Sequence, residues 1–310
     1  MNKALHRFTL FVTGATLLLI VAGALVTSHD AGLAVPDWPL SFGKVFPEMQ
    51  GNVFWEHGHR LIAASVGVLI IVLNILLWRH EKRSWVRRLG LIALGAVVAQ
   101  GLLGGLTVIF WLPLAISATH ATLAQLLFCT LVSLSVFTAP GWETTAREKI
   151  EEQEGAPLRF VCIASAAVIL VQLVLGATLR HSATWDQYLP TGLLLTHIAG
   201  AFAVTMLLGY TIITTLKRHQ SETYLTRPAK IAAALLFVQL GLGFAAYLTR
   251  QVSPTGPQPR NPMVGITVAH VACGALVFAT TIVLTLRSFR VLKATSETAK
   301  SYQRLSAETS

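Results

Sequence analysis

Only 12% of the 310 residues are charged and 54% are apolar, whereas a soluble globular chain carries about 25% charged residues. The formal charge of +10 does not mark a nucleic-acid binder, because the basic residues sit in short clusters between apolar blocks and not on one amphipathic face. Cys129, Cys162 and Cys273 each lie inside an apolar block with no CxxC or CxxCH spacing, so no disulfide framework is implied, a covalent haem attachment is not expected, and packing is the expected role.

The apolar runs, in chain order, fall at 8–27, 60–78, 89–110, 118–138, 159–179, 192–215, 229–249 and 263–286. Each is near the ~20 residues that cross ~30 Å of hydrocarbon as a helix. Backbone polar groups cannot be left bare in lipid, which makes helices the expected form. The first run has Lys3 and Arg7 before it and Ala22-Gly23-Ala24 at its end, as a cleaved signal would. It is long for a signal core, and its end joins the repeat described below, so it is expected to remain as a span. Lys and Arg divide nineteen to five between the two sides, with both termini on the richer one, which predicts cytoplasmic termini. The first span opens almost at once and leaves no visible presequence, so the plasma membrane of a prokaryote is the expected location.

A repeat organises these spans. Gln100 and Gly104, Gln172 and Gly176, and Gln239 and Gly243 mark the third, fifth and seventh runs, and the first has Gly23-Ala24-Leu25 without the glutamine. Spacing i,i+4 puts Gln and Gly on one helix face, where the glycine permits close approach. Each of these runs is followed by an outer loop and a span that opens with histidine: His59, His120, His197 and His270. The unit is a two-helix hairpin used four times. The expected fold is therefore an all-α integral membrane protein of eight transmembrane helices in two pseudo-symmetric four-helix bundles. Residues 1–140 form the N-terminal half, 141–157 a cytoplasmic linker that follows Pro140 and opens with Gly141-Trp142, 158–290 the C-terminal half and 291–310 a cytoplasmic tail.

Ionisable groups inside a membrane are costly and normally face the bundle interior. Four histidines at equivalent places point to shared ligation. Two imidazoles on facing helices suit a haem iron. Zinc wants four close ligands, and non-haem metals want more histidines or carboxylates than the second half offers. Pairing is expected within each half, His59 with His120 and His197 with His270. Arg60, Arg180 and Arg250 lie at outer helix ends, where they either receive haem propionates or snorkel to the interface. His29 is expected to be solvated, His57 to point away from His59, and His181 to lie in an outer loop. Glu56 precedes His59 by one turn, whereas Leu194 holds the equivalent place before His197. Either Glu56 handles protons beside one iron only, or it caps its helix.

Glu56-His57-Gly58-His59-Arg60, the later His120, His197 and His270, and the loop Gly32-Leu-Ala-Val-Pro-Asp-Trp-Pro39 together resemble haem A synthase, over about residues 5–290. The resemblance implies oxidation of a haem O ring methyl to a formyl group, giving haem A for terminal oxidases. It implies haem O or haem A as substrate and product at His59 and His120, haem b at His197 and His270, and Glu56 as the essential acid. A haem O synthase and an electron donor are the implied partners, in the lipid bilayer. Many relatives carry a cysteine pair in the first outer loop, where this chain has Val35 and Ser41-Phe42; thiol control is therefore not expected. The competing reading is a bis-His two-haem electron carrier such as a quinol-oxidising cytochrome, which needs no acid on one half alone. A transporter would want midplane sites and broken helices, and the histidines lie instead at the outer ends.

Overall fold

In the computed structural model, residues 2–142, 150–151, 156–182, 190–251 and 261–293 are described. They contain eight long helices: α1 (Lys3–Ser28), α2 (Asn52–His80), α3 (Ser84–Ile109), α4 (Leu114–Thr138), α5 (Leu158–His181), α6 (Thr191–Arg218), α7 (Thr223–Gln251) and α8 (Asn261–Val291). All eight are long and apolar enough to cross a membrane. The helices outrun the apolar stretches that predict them. Helix α2 starts at Asn52, so Glu56, His57, His59 and Arg60 are helical residues at its outer end. His181 is likewise the last residue of α5 and not a loop residue.

Each half closes on itself, with α1 packing on α2 and α4 and α3 on α2 and α4, and the same pattern in α5 to α8. Between halves, α1 meets α8, α4 meets α5, and α4 meets α8. Exchanging α1 with α5 and α4 with α8 turns the first contact into the second and returns the third to itself. That is the signature of a two-fold relation between halves in the same orientation. Helices α1, α4 and α8 are the most buried of the eight, and α6 and α7 the least. The largest core cluster runs through the junction and joins Ile20, Phe128 and Cys129 to Ile169, Leu208 and Cys273. A second, formed by Val12, Val66, Ile70, Leu73, Leu127 and Leu131, fills the first half. All three cysteines are buried and outside any disulfide, in keeping with a packing role. Large apolar side chains such as Phe202, Met206 and Phe237 face outward, as a lipid-facing surface requires.

Many hydroxyl side chains within the spans are satisfied locally. Thr9, Thr16, Thr130 and Thr281 donate to the carbonyl four residues back. Thr13 bonds Ser135 at 2.9 Å and Ser165 bonds Thr211 at 2.8 Å, linking α1 to α4 and α5 to α6.

The linker and the tail differ from expectation at one point. Ile150–Glu151 (β1) pairs in parallel with Leu292–Lys293 (β2), so a piece of the linker is tied to the end of α8. Arg290 also donates to the Trp142 carbonyl at 2.6 Å. The rest of the expected linker, 143–149 and 152–155, and the tail from 294 onward lie outside the described residues. A cavity of about 320 Å³ lies here, lined by residues that include Trp142, Tyr224, Arg287 and Arg290. It is at the opposite end of the helices from the four histidines.

Candidate functional site

The glycine of each odd helix and the histidine of the next helix meet face to face. A Cβ built at Gly23 would lie 3.1 Å from Cε1 of His59, and at Gly104, 3.4 Å from Cε1 of His120. At Gly176 and Gly243 the corresponding distances to His197 and His270 are 3.0 Å. A side chain at Gly23, Gly176 or Gly243 would press on the imidazole, and one at Gly104 would just touch it. The repeat read in the sequence is thus one hairpin device, with an imidazole seated on a bare stretch of backbone. Within each half the two imidazoles lie within electrostatic reach of one another, His59 of His120 and His270 of His197.

The donor set fits a haem held by two imidazoles. Nδ1 of His59, of His120 and of His270 is buried without a hydrogen-bond partner among the described residues, a costly state for a polar atom in a membrane interior unless a ligand engages the ring. Among the described residues, no three His, Cys, Asp or Glu side chains gather as a metal-binding group. Pairs of imidazoles are therefore what the bundle presents.

Two of the three glutamines of the repeat touch the histidines. Gln172 Nε2 lies 3.1 Å from Nδ1 of His197 and donates to that residue's carbonyl at 2.9 Å. Gln239 Nε2 lies 3.3 Å from Nε2 of His270. The i,i+4 spacing from the glycine was the available signal: a side chain one turn from the glycine, on the same face, reaches the ring seated there.

Around Glu56 the first outer loop is folded down onto α2. Glu56 is buried, 4% exposed. It accepts the Val35 N–H at 2.8 Å and pairs with Arg60. It does not cap its helix, whose N-cap is Gly51 with no side-chain bond. Arg60 donates to the carbonyls of Asp37 and Leu40 at 2.7 and 2.8 Å, to the Val35 carbonyl at 3.4 Å and to Ser41 Oγ at 3.4 Å. The sequence offered Arg60 as a propionate receiver or a snorkelling cation; its guanidinium is used to hold this loop. His57 points away from the His59 face, as expected, and its Nδ1 bonds Ser41 Oγ at 2.8 Å, both residues being buried. Val35 and Ser41 are thus hydrogen-bonded anchors of this cysteine-free loop.

Two further contacts fix the loop. A Cβ at Gly105 would lie 2.6 Å from the Trp38 indole, so that ring packs directly on α3 one residue past the seat of His120. Asp37 accepts the N–H groups of Phe42 and Gly43 at 2.6 and 2.8 Å, holding a turn in which both residues have positive φ. The Gly43 and Phe42 N–H groups, with Arg60 beside them, keep the Asp37 carboxyl below the usual carboxylate range. This anchor is in place at neutral pH and is lost only as acid protonates the carboxylate below that range.

Arg180 joins the halves. It donates to Ser28 Oγ at 2.6 Å and to the Ala24 carbonyl at 3.3 Å, both on α1. It lies within electrostatic reach of Arg250, of His270 and of His181, and His181 in turn of His120. His181 thus sits toward the first-half histidines although it belongs to the second half, a placement no local signal announces. His29 is not simply solvated: its ring stacks on Trp55 at 4.1 Å, and Nδ1 bonds the Leu25 carbonyl at 2.9 Å.

Eight helices long and apolar enough to cross a membrane, with a glycine-backed histidine pair in each half, define a multi-pass membrane protein whose paired imidazoles fit a haem. The family of cytochrome oxidase assembly proteins (COX15-CtaA) matches residues 6–282. Heme A synthase of Shouchella clausii is 30% identical over 279 residues, covering 82% of this chain and 90% of that protein. Heme A synthase of Symbiobacterium thermophilum is 30% identical over 262 residues, 78% of this chain and 85% of its own. That of Alkalihalophilus pseudofirmus is 26% identical over 275 residues, 83% and 91% respectively. The chain belongs to the haem A synthase family.

Proposed function

We propose that this multi-pass membrane protein of a prokaryote oxidises a ring methyl of haem O to a formyl group, with the first half as the substrate site. The observation that carries the assignment of halves is the acid. Two equivalent histidine pairs exist, and only the first has a buried carboxylate one turn before a histidine, clamped by an N–H and a guanidinium.

His59 and His120 hold haem O, and His197 and His270 hold haem b. When bound, haem b supplies electron transfer. Glu56 is held in one orientation at the outer end of the bundle. There it takes up protons released as the methyl carbon is oxidised, or steadies positive charge developing on that carbon. The loop pinned by Arg60, Asp37 and Trp38 covers this end and limits water at the reacting carbon. Arg180 and Arg250 are the guanidinium groups that receive propionates. A haem O synthase supplies the substrate, a separate donor the electrons carried by haem b, and an external oxygen-donating oxidant takes up the electrons of the methyl carbon and supplies the formyl oxygen.

Extracted pigments test the reading. Haem O or haem A beside haem b in the purified protein is the expected result, and haem b alone in both halves would sink it.

The nineteen-to-five division of basic residues supports a topology with both termini in the cytoplasm and the histidine ends on the outer side of the plasma membrane. Reporter fusions at Ser310 and within the 28–55 loop should register opposite sides. Both registering the same side would reject this topology.

A further inference from the structure

Three positions before each histidine of the repeat stands a residue one turn nearer the outer end, on the same side of the helix: Glu56, Ser117, Leu194 and Thr267. In the second half that place is apolar or already engaged. Leu194 has no polar group, and the Thr267 hydroxyl donates to the Met263 carbonyl of its own helix at 2.7 Å. The first half has two buried polar groups there. Glu56 is clamped by the Val35 N–H and Arg60. Ser117 is 2% exposed, and its Oγ is buried with no hydrogen-bond partner among the described residues.

That state is unusual in this protein. Hydroxyls along the spans donate to the carbonyl four residues back, as those of Thr122 and Thr130 do on the same helix. The Pro113 carbonyl, four residues before Ser117, accepts the Ser117 N–H at 2.9 Å and not its hydroxyl. Among the described residues, Ser117 Oγ is the only buried hydroxyl oxygen left without a partner. A buried donor without an acceptor is costly and calls for a reason. Here it stands one turn from His120, whose ring is seated on Gly104.

The missing acceptor fits a ligand, and the asymmetry says which part of it. Iron and propionates are common to both haems, so a hydroxyl serving either would be wanted in both halves. The haem of the first half alone gains an oxygen on a ring methyl carbon. Glu56 and Ser117 hold equivalent places on the two histidine helices, so both stand one turn outward of the imidazole pair that would hold the macrocycle. A hydroxyl donates one hydrogen bond without bringing a charge, which suits a neutral carbonyl oxygen. We infer that Ser117 is a substrate-contacting residue of the first half, whose hydroxyl donates to the oxygen on the oxidised carbon. This rests on the assignment of haem to the two halves made above.

The test uses the full-length purified protein in nanodiscs, loaded with haem A and read by resonance Raman spectroscopy. A carbonyl that accepts a hydrogen bond stretches at a lower frequency than a free one. S117A should move the formyl C=O band up to the position of a free formyl group. It should also speed loss of haem A to apomyoglobin about 2–10-fold, the weight of one hydrogen bond, with loss of haem b unchanged. Thermal melting is measured alongside, because a merely structural hydroxyl would lower the melting point in S117A and leave the band in place. T267V, at the same place in the second half, should leave the band unmoved, and a shift equal to that of S117A would overturn the inference. An unshifted band in S117A, while H59A and H120A abolish haem A binding, would overturn the inference alone. So would weaker binding of haem O in S117A with the formyl band unmoved, which would give the hydroxyl to another oxygen of the substrate. Haem A retained in full by H59A and H120A would overturn the assignment of halves, and the inference with it.

Discussion

Replacing His197 or His270 with alanine is expected to strip most of the haem b absorbance from the purified protein while the chain stays folded in the membrane. The two imidazoles are on facing helices, α6 and α8, and lie within electrostatic reach of each other. Each sits on a glycine of the preceding helix with a glutamine amide beside it. Alanine would remove one of the two imidazoles that would hold the haem and leave the amide of Gln172 or Gln239 facing a gap. The helices themselves are held by the apolar cluster at the junction of the halves, which includes Ile169, Leu208 and Cys273 and neither histidine. Folding and insertion should therefore survive. Spectra of the two variants, normalised to protein, decide the matter: haem b content equal to wild type in both would reject these ligands.

The second expectation concerns Glu56→Gln, which should retain bound haem and lose conversion of haem O by roughly 10²–10⁴-fold, the usual weight of a proton-transferring group. The substitution keeps the shape of the side chain and an oxygen able to accept the Val35 N–H. It removes the charge facing Arg60 and the ability to take a proton. Breaking a buried ion pair can cost several kcal/mol, but Arg60 keeps its bonds to the carbonyls of Asp37 and Leu40, so a smaller loss of stability is expected. The quantity to measure is haem A formed per bound haem O, because it separates chemistry from folding and from occupancy. Near-normal conversion on that scale would end the catalytic reading and leave Glu56 as an anchor for the loop.

Much of this architecture was legible in the sequence because its causes are local. A helix that crosses lipid must be apolar along its whole length, so the eight spans show as runs in one dimension. A repeat writes the same residues at the same places. Gly23, Gly104, Gly176 and Gly243 and the four histidines could therefore be matched before any contact was known. Span ends were less legible, because the outer turn of α2 carries Glu56, His57, His59 and Arg60 and no longer reads as apolar.

What the tertiary structure decided are contacts between residues distant in the chain. By sequence, Arg60 is a cation beside a presumed ligand; its fork is spent on carbonyls 20–25 residues upstream, once the loop folds back over α2. The glutamines read as helix-packing residues until the hairpin closed and brought Gln172 to His197 and Gln239 to His270. Arg180 reaches Ser28 across the junction, 152 residues away, and no periodicity encodes that meeting. Periodicity and hydropathy fix which elements form and which face is apolar. Which polar group meets which depends on how helices and loops are set against one another, and that is decided by the packing of the whole chain.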